Sequence, residues 1–258
     1  CLRRKVGAII VKDKRILTNT KMEKIIYPIR INKYLSQKNI CARREADVFI
    51  KQGKVKINGQ KAVLGDKVLE NDEVVVENLN KKLIYIAFNK PKGVITHSPQ
   101  NGEKSIKDIL GFNLEKGIFP LGRLDKDSSG LIILTNDGRL TDRLLNPKYD
   151  HEKEYIVKVS KPLDGLFLKK MEKGVKLEDN YLTKPCTVKK ISKDRFSIVL
   201  TEGKKHQIRR MCDALGYGVL GLERRRIMNI KLQNLGQGDF REIKGKELSD
   251  FLKSLGLQ

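Results

Sequence analysis

Thiols are few in this chain of 258 residues: Cys1, Cys41, Cys186 and Cys212 are the only four, and none pairs with another as Cys-x-x-Cys. The three histidines, His97, His151 and His206, are equally scattered. This excludes the ligand spacing of a zinc site and any disulfide framework, and it fits a chain kept reduced in the cytoplasm. Long hydrophobic runs are missing too. The longest uncharged apolar stretch near the N-terminus, residues 6–11, is too short for a signal sequence or a membrane span, so no membrane association is expected. There is no internal repeat, no low-complexity tail and no heptad stripe, and a monomer is expected.

Acidic residues are also in short supply. Against 54 Lys+Arg there are 31 Asp+Glu, a formal net charge of +23. A surplus of that size favours polyanionic partners through counterion release and long-range steering, without identifying which polyanion. At 39% hydrophobic residues the chain can still bury a core. Its length suits one large domain, or a small module joined to a medium one.

What is present begins with punctuation. Pro28 marks a first boundary, after which two short helical patterns follow: Ile31, Tyr34 and Leu35 share one face, and Ala42, Ala46, Phe49 and Ile50 share another. Glu45 supplies the N3 half of a capping box, and Ala42 cannot supply the other half, a loss of roughly 1 kcal/mol relative to serine. Lys54 to Ile57 alternates, Asn58-Gly59 is a hairpin turn, and residues 61–63 return. Residues 74–76 add a strand, so residues 29–78 are predicted to pack two helices on a small twisted sheet. Arg30, Lys33, Arg43, Arg44, Lys51, Lys54 and Lys56 crowd this unit on faces other than the apolar ones. That segregation suits either a phosphate-contacting surface or a solvated helix face.

Residues 78–82 read as a linker. Beyond it, β-branched and aromatic residues predict strands at 83–88, 131–135, 155–159 and 196–201, while helical patterns fall at 140–145, 163–173, 208–215 and 246–255. Strands and helices do not alternate regularly, so a mixed, largely antiparallel α+β domain is expected. Within it, FPLGRLDKDSSGLIILTNDG, residues 119–138, places Asp125, Asp127, Ser128 and Ser129 on a polar loop just before a buried apolar strand. A carboxylate on a loop at the edge of a rigid strand is well placed for chemistry, although turns also use Asp and Ser for local hydrogen bonds.

The residues themselves carry two family resemblances. INKYLSQKNICARREADVFIKQGKVKINGQ resembles the S4 domain, an RNA-binding module, over roughly residues 29–90; Ala42 stands where Ser or Thr is usual. This implies that the basic side chains hold structured RNA by its shape and phosphates. Residues 119–138 resemble the signature of pseudouridine synthases of the small-subunit synthase A branch. HEKEYIVKV, residues 151–159, and LTEGKKHQIRRMCDALGY, residues 200–217, match the same branch in order, and LERRRIMNI, residues 222–230, is most similar to its large-subunit synthase F subgroup.

The resemblance implies isomerisation of uridine to pseudouridine in ribosomal RNA, with 23S RNA first and 16S RNA or tRNA as alternatives. The N1–C1′ bond breaks, the base turns, and C5 takes its place on the ribose, with no metal or nucleotide cofactor. Asp125 matches the essential aspartate, Arg209 the arginine that pairs with it, and Tyr155 the tyrosine that stacks on the target base. Arg123 is expected to help open the target stem or contact its backbone, or else to brace Asp127, and Arg210 to contact a phosphate. Lys153 is expected near the pocket, His151 and His206 in structural roles, and the Lys90-Pro91-Lys92-Gly93 loop as scaffold with a possible phosphate contact.

Residues 1–19 separately resemble the first hairpin of deoxycytidylate deaminases, but no His-x-Glu or Pro-Cys-x-x-Cys zinc motif follows, so no deaminase activity is expected. The expected organisation is thus a deaminase-like remnant or linker at 1–28, an S4 domain at 29–82 and a catalytic domain at 83–258. The rival from another class is a catalytically silent, ribosome-associated S4 protein, against which the joint presence of Asp125, Tyr155 and Arg209 argues.

Overall fold

A computed structural model describes residues 25–77, 82–97, 100, 102–111 and 117–257, together with the backbone of residues 9–11. Most of the deaminase-like segment and of the expected linker therefore lies outside the described residues. The chain divides into two compact bodies, one formed by residues 1–83, 137–141 and 252–258, the other by 84–136 and 142–251.

In the first body, β1 (Ile9–Val11), β2 (Ile29–Arg30), α1 (Ile31–Gln37), α2 (Arg43–Lys51), β3 (Val55–Ile57), β4 (Gln60–Lys61), β5 (Lys67–Val68) and β6 (Val74–Val76) follow in order. β1, β6, β3 and β4 form one sheet, and β2 pairs with β5. The apolar faces read from the sequence become the core: Ile31, Tyr34 and Leu35 of α1 and Ala46 and Ile50 of α2 are buried with Val55, Val68, Val74 and Val76. Asn58 (φ 50°) and Gly59 (φ 81°) both adopt the left-handed conformation that a tight two-residue hairpin demands, and Ile57 pairs with Gln60 across it. Ala42 occupies the N-cap of α2 and makes no side-chain capping bond, as its methyl group dictates.

The second body is built on a nine-stranded sheet. Its elements in chain order are β7 (Tyr85–Lys90), α3 (Ile106–Leu110), β8 (Phe119–Leu121), β9 (Ser129–Thr135), α4 (Leu140–Leu145), β10 (Lys153–Val159), α5 (Gly165–Lys173), β11 (Thr187–Lys190), β12 (Arg195–Leu200), α6 (Gln207–Ala214), β13 (Val219–Ile227), β14 (Ile230–Lys231), β15 (Phe240–Glu242) and α7 (Gly245–Ser254). The strand order is β11-β12-β10-β13-β9-β7-β15, with β14 on β13 and β8 on β9. Pairing is antiparallel except between β13 and β9, which run parallel over Glu223↔Ser129 and Arg224↔Gly130. The fold is therefore α+β with a largely antiparallel sheet.

Two apolar clusters pack helices against the sheet. Val157 and Val159 of β10, Phe196 and Ile198 of β12 and Leu222 of β13 pack with Phe167 and Met171 of α5 and Ile208 and Met211 of α6. Ile86 and Phe88 of β7 and Ile132 and Leu134 of β9 pack with Ile106 and Leu110 of α3. At roughly 25 cal/mol per Å² of apolar area removed from water, this burial stabilises the strands whose ends carry the loops of the site.

One close approach joins the halves of this sheet. Gly130, the second residue of β9, sits at φ 106°, and a Cβ there would lie 2.3 Å from the Arg224 carbonyl oxygen and 2.6 Å from its nitrogen. Only a residue without a side chain lets β9 and β13 pair at this point.

Candidate active site

The loop from Gly122 to Ser128, between β8 and β9, is fixed by its backbone on both sides of Asp125. The Thr96 hydroxyl donates to the Leu124 carbonyl at 2.8 Å and accepts from the Leu124 amide at 3.2 Å. Ser128 N–H closes a turn onto the Asp125 carbonyl at 3.0 Å, and Gly93 N–H donates to the Lys126 carbonyl at 2.8 Å. Leu124 and Ser128 are buried, and between them the Asp125 carboxylate projects half-exposed. A pinned backbone carrying an accessible carboxylate is the arrangement a nucleophile or general base requires.

Arg209 approaches the same loop from α6, but not in the manner expected. Its guanidinium donates to the Asp127 carbonyl at 3.2 Å, lies 3.5 Å from Ser128 Oγ, and donates to the Val219 carbonyl at 3.3 Å. It braces the loop and the start of β13 rather than pairing with the Asp125 carboxylate, because its fork is satisfied by carbonyls of two segments. The side chain that does face the carboxylate is His206, with Nε2 3.4 Å from Asp125 Oδ1. A structural role was expected for His206, and the structure sets its ring beside the Asp125 carboxylate.

Behind the loop, a row runs across one face of the sheet. Lys90 pairs with Gly130, Gly130 with Arg224, and Arg224 with Tyr155. Partners across neighbouring strands share a face, so Lys90, Arg224 and Tyr155 point the same way. Tyr155 is half-buried against the apolar layer that contains Val157 and Val159.

Lys90 is completely buried and donates to the carbonyls of Pro91 at 2.9 Å and Val94 at 2.7 Å. A phosphate contact is thereby excluded for it. Burial pushes its ammonium down to about 8, opposed by the carboxylates of Asp125 and Asp127 and reinforced by the Arg224 cation. Lys153 is half-buried and its ammonium is also lowered, first by burial and then by Arg224. Arg224 itself is buried, donates from Nε to the Leu131 carbonyl at 2.7 Å, and carries an Nη2 with no hydrogen-bond partner among the described residues. Lys90 thus feels the charge of Asp125 and Asp127 on one side and of Arg224 on the other, and Arg224 links it along the row to Tyr155 and Lys153.

The remaining expected residues divide clearly. Arg123 is exposed on the Asp125 loop. Arg210 does not face open solvent as a free phosphate ligand: its guanidinium is bound by Glu178 at 2.5 Å and Asp179 at 2.7 Å. His151 has its Nε2 2.8 Å from the Arg143 carbonyl and its ring stacked on Tyr149. In the first body Arg30, Lys33, Arg43, Arg44 and Lys51 are exposed, Lys54 lies over the Phe49 ring, and Lys56 pairs with Glu77 at 2.8 Å.

Comparison with known proteins shows the family to which this chain belongs. The model of the RNA pseudouridylate synthase family matches residues 84–214, and that of the S4 domain matches residues 29–74. The chain belongs to the RNA pseudouridylate synthase family. Among its relatives, the dual-specificity RNA pseudouridine synthase RluF of Salmonella typhi is 45% identical over 230 residues, 87% of this chain and 78% of that protein. Ribosomal large subunit pseudouridine synthase B of Bacillus subtilis is 36% identical over 230 residues, 85% of this chain and 93% of that one. A solved pseudouridylate synthase structure superposes with a TM-score of 0.65 at 28% identity, covering 88% of this chain and 99% of the other.

As an RNA pseudouridine synthase with an S4 domain, the chain binds RNA and rearranges uridine. Among the described residues no helix is long and apolar enough to cross a membrane. Arg224 is not singled out by the sequence, and Lys90 is read from it as scaffold with a phosphate contact rather than as a buried cation near Asp125. The signal that points to Arg224 is the segment Glu223-Arg224-Arg225-Arg226, in which charge of this density sits between apolar Leu222 and Ile227. Lys90 ends a strand whose other five residues are all buried.

Proposed function

We propose that this enzyme isomerises a specific uridine in 23S ribosomal RNA, with Asp125 as the reacting carboxylate, in the cytoplasm and as a monomer. The observation that carries the reading is the half-exposed Asp125 on a loop held at Leu124, Lys126 and Ser128, with the buried cation of Lys90 near it. The ribosomal substrate is supported by the name of the Bacillus subtilis relative, a large-subunit synthase, whereas the RluF relative is named for dual specificity.

The chemistry follows from the site. A uridine lifted from its stem loses a few kcal/mol of stacking, and Tyr155 beside Arg224 offers the ring that offsets part of it. Asp125 then attacks the ribose or the base, or removes the C2′ proton, as the N1–C1′ bond breaks. The detached base turns and C5 bonds to C1′ as the Asp125 carboxylate is released or the C2′ proton is returned; the C5 proton then leaves and N1 ends protonated, so no atom is gained or lost. Lys90, Lys153 and Arg224 supply fixed positive charge where the base carries negative charge between the two bonds. In the S4 domain, proposed as residues 29–82, Arg30, Lys33, Arg43, Arg44 and Lys51 hold the RNA backbone, with Lys54 and Lys56 at the edge of that surface and Arg123 at the target stem. The catalytic domain spans 83–258.

The test is to map pseudouridines in bulk ribosomal RNA from a strain lacking the enzyme, complemented with wild type or Asp125→Ala. One 23S site should vanish and return with wild type alone. Return of the site with Asp125→Ala removes Asp125 from the chemistry. Unchanged ribosomal RNA moves the substrate elsewhere or leaves a protein that only binds.

A further inference from the structure

His206 occupies a position that the local chain does not favour. Its backbone sits at φ 52° and ψ 27°, the left-handed region, where a residue with a Cβ is strained by roughly 1 kcal/mol. A clasp on either side holds it there. Glu202, buried, accepts from Tyr181 Oη–H at 2.5 Å, from Lys184 N–H at 3.0 Å and from Gln207 Nε2 at 2.5 Å. Gln207 Oε1 in turn accepts from Lys204 N–H at 2.9 Å, closing the turn that presents His206. The imidazole so presented reaches Asp125 Oδ1 at 3.4 Å, while Arg209, the expected partner, is occupied by the Asp127 and Val219 carbonyls.

We infer that His206 is a positioning residue for Asp125: its Nε2 ties down Oδ1 and leaves Oδ2 as the oxygen presented to the nucleoside. This rests on Asp125 being the reacting carboxylate. A separation of 3.4 Å is loose for a hydrogen bond, and catalytic contacts commonly tighten only when substrate is bound. Backbone strain held by a buried clasp next to a reactive group is the pattern expected where geometry serves chemistry. The competing role for a half-exposed imidazole beside Lys204 and Lys205 is a phosphate contact.

Three substitutions in the full chain separate the roles, using in-vitro-transcribed, unmodified 23S RNA for both turnover and filter-binding affinity. His206→Asn tolerates the left-handed backbone but is too short to reach Oδ1. His206→Gln places an amide N–H near the position of Nε2. His206→Lys keeps a positive charge without that geometry. Positioning predicts that His206→Asn lowers kcat on the order of 10- to 100-fold with RNA affinity changed less than about twofold, and that His206→Gln recovers most of the loss. A wild-type kcat in His206→Asn overturns the inference. So does an affinity loss that His206→Lys repairs, or a kcat loss that His206→Gln shares in full. Asp125→Ala run alongside distinguishes the levels: if it retains turnover, the catalytic reading itself has failed, whereas an inactive Asp125→Ala beside an unaffected His206→Asn removes only the role of His206.

Discussion

Lys90 is where burial and function pull against each other most directly. A lysine enclosed by protein, its ammonium lowered to about 8, binds its proton more weakly folded than unfolded. It therefore costs stability at every pH below about 8, on the order of 3 kcal/mol by its shift, and that cost is relieved as pH rises from about 8 towards the unfolded value of 10.5. Activity should move the other way. The charge that faces Asp125 and Asp127 disappears over the same interval, so kcat/KM is expected to fall as pH rises through about 8. Lys90→Met should lower the rate at neutral pH and flatten that alkaline limb; a limb unchanged in the variant assigns the titration to another group. Tyr155 admits a test of equal directness. Tyr155→Leu preserves the apolar packing against the cluster around Val157 and Val159 but removes the ring, and a lost base–aromatic stack worth about 1–3 kcal/mol should reduce kcat/KM by roughly 5- to 150-fold. Steady-state kinetics on 23S RNA transcript with normal thermal unfolding would support stacking, whereas a normal kcat/KM would leave Tyr155 as a core aromatic.

At the level of elements, the parallel contact between β9 and β13 decides whether the site exists. Gly130→Ala would put a methyl group 2.3 Å from the Arg224 carbonyl, in a backbone conformation that also disfavours alanine. Overpacking and strain of this kind cost about 1–3 kcal/mol each, so urea unfolding should show a loss of at least about 2 kcal/mol together with loss of turnover. A variant as stable as wild type would mean that β9 can part from β13 freely. The same junction explains where the sequence was legible and where it was not. Strands 131–135, 155–159 and 196–201 and all four long helical patterns announced themselves because one apolar face or run dominated each. β13 did not, although at nine residues it is central to the sheet. Its charges are each consumed differently: Arg224 is buried, Arg225 pairs with Glu223, and Arg226 bridges Glu152 and Glu154 of the neighbouring segment. Local patterning cannot register partners that come from another strand. Asp125 was legible because its motif is contiguous; the Asp125–His206 contact was not, because the two residues are 81 positions apart and meet only once α6 is laid on the sheet.

Across the whole molecule, a formal charge of +23 sets affinity for RNA, but individual cations contribute unequally. Each phosphate neutralised by Lys or Arg adds about 0.7–0.9 to the steepness with which binding falls against log salt. A cation already held by carboxylates releases no counterions on binding and should add little. Arg43 and Arg44 are exposed on α2, whereas Arg210 is clamped by Glu178 and Asp179. Replacing Arg43 and Arg44 together with alanine should therefore reduce the salt slope of RNA binding by about 1.4–1.8 and leave kcat at saturating RNA unchanged. Arg210→Ala should leave the slope as it was. The discriminating measurement is filter binding of 23S transcript across a salt series for all three proteins. If Arg210→Ala lowers the slope as much as the double variant does, the carboxylates must release that arginine when RNA arrives. The face around Glu178 would then join the binding surface. If neither variant changes the slope, the S4 arginines do not touch phosphate, and the charge that captures RNA lies in the catalytic domain.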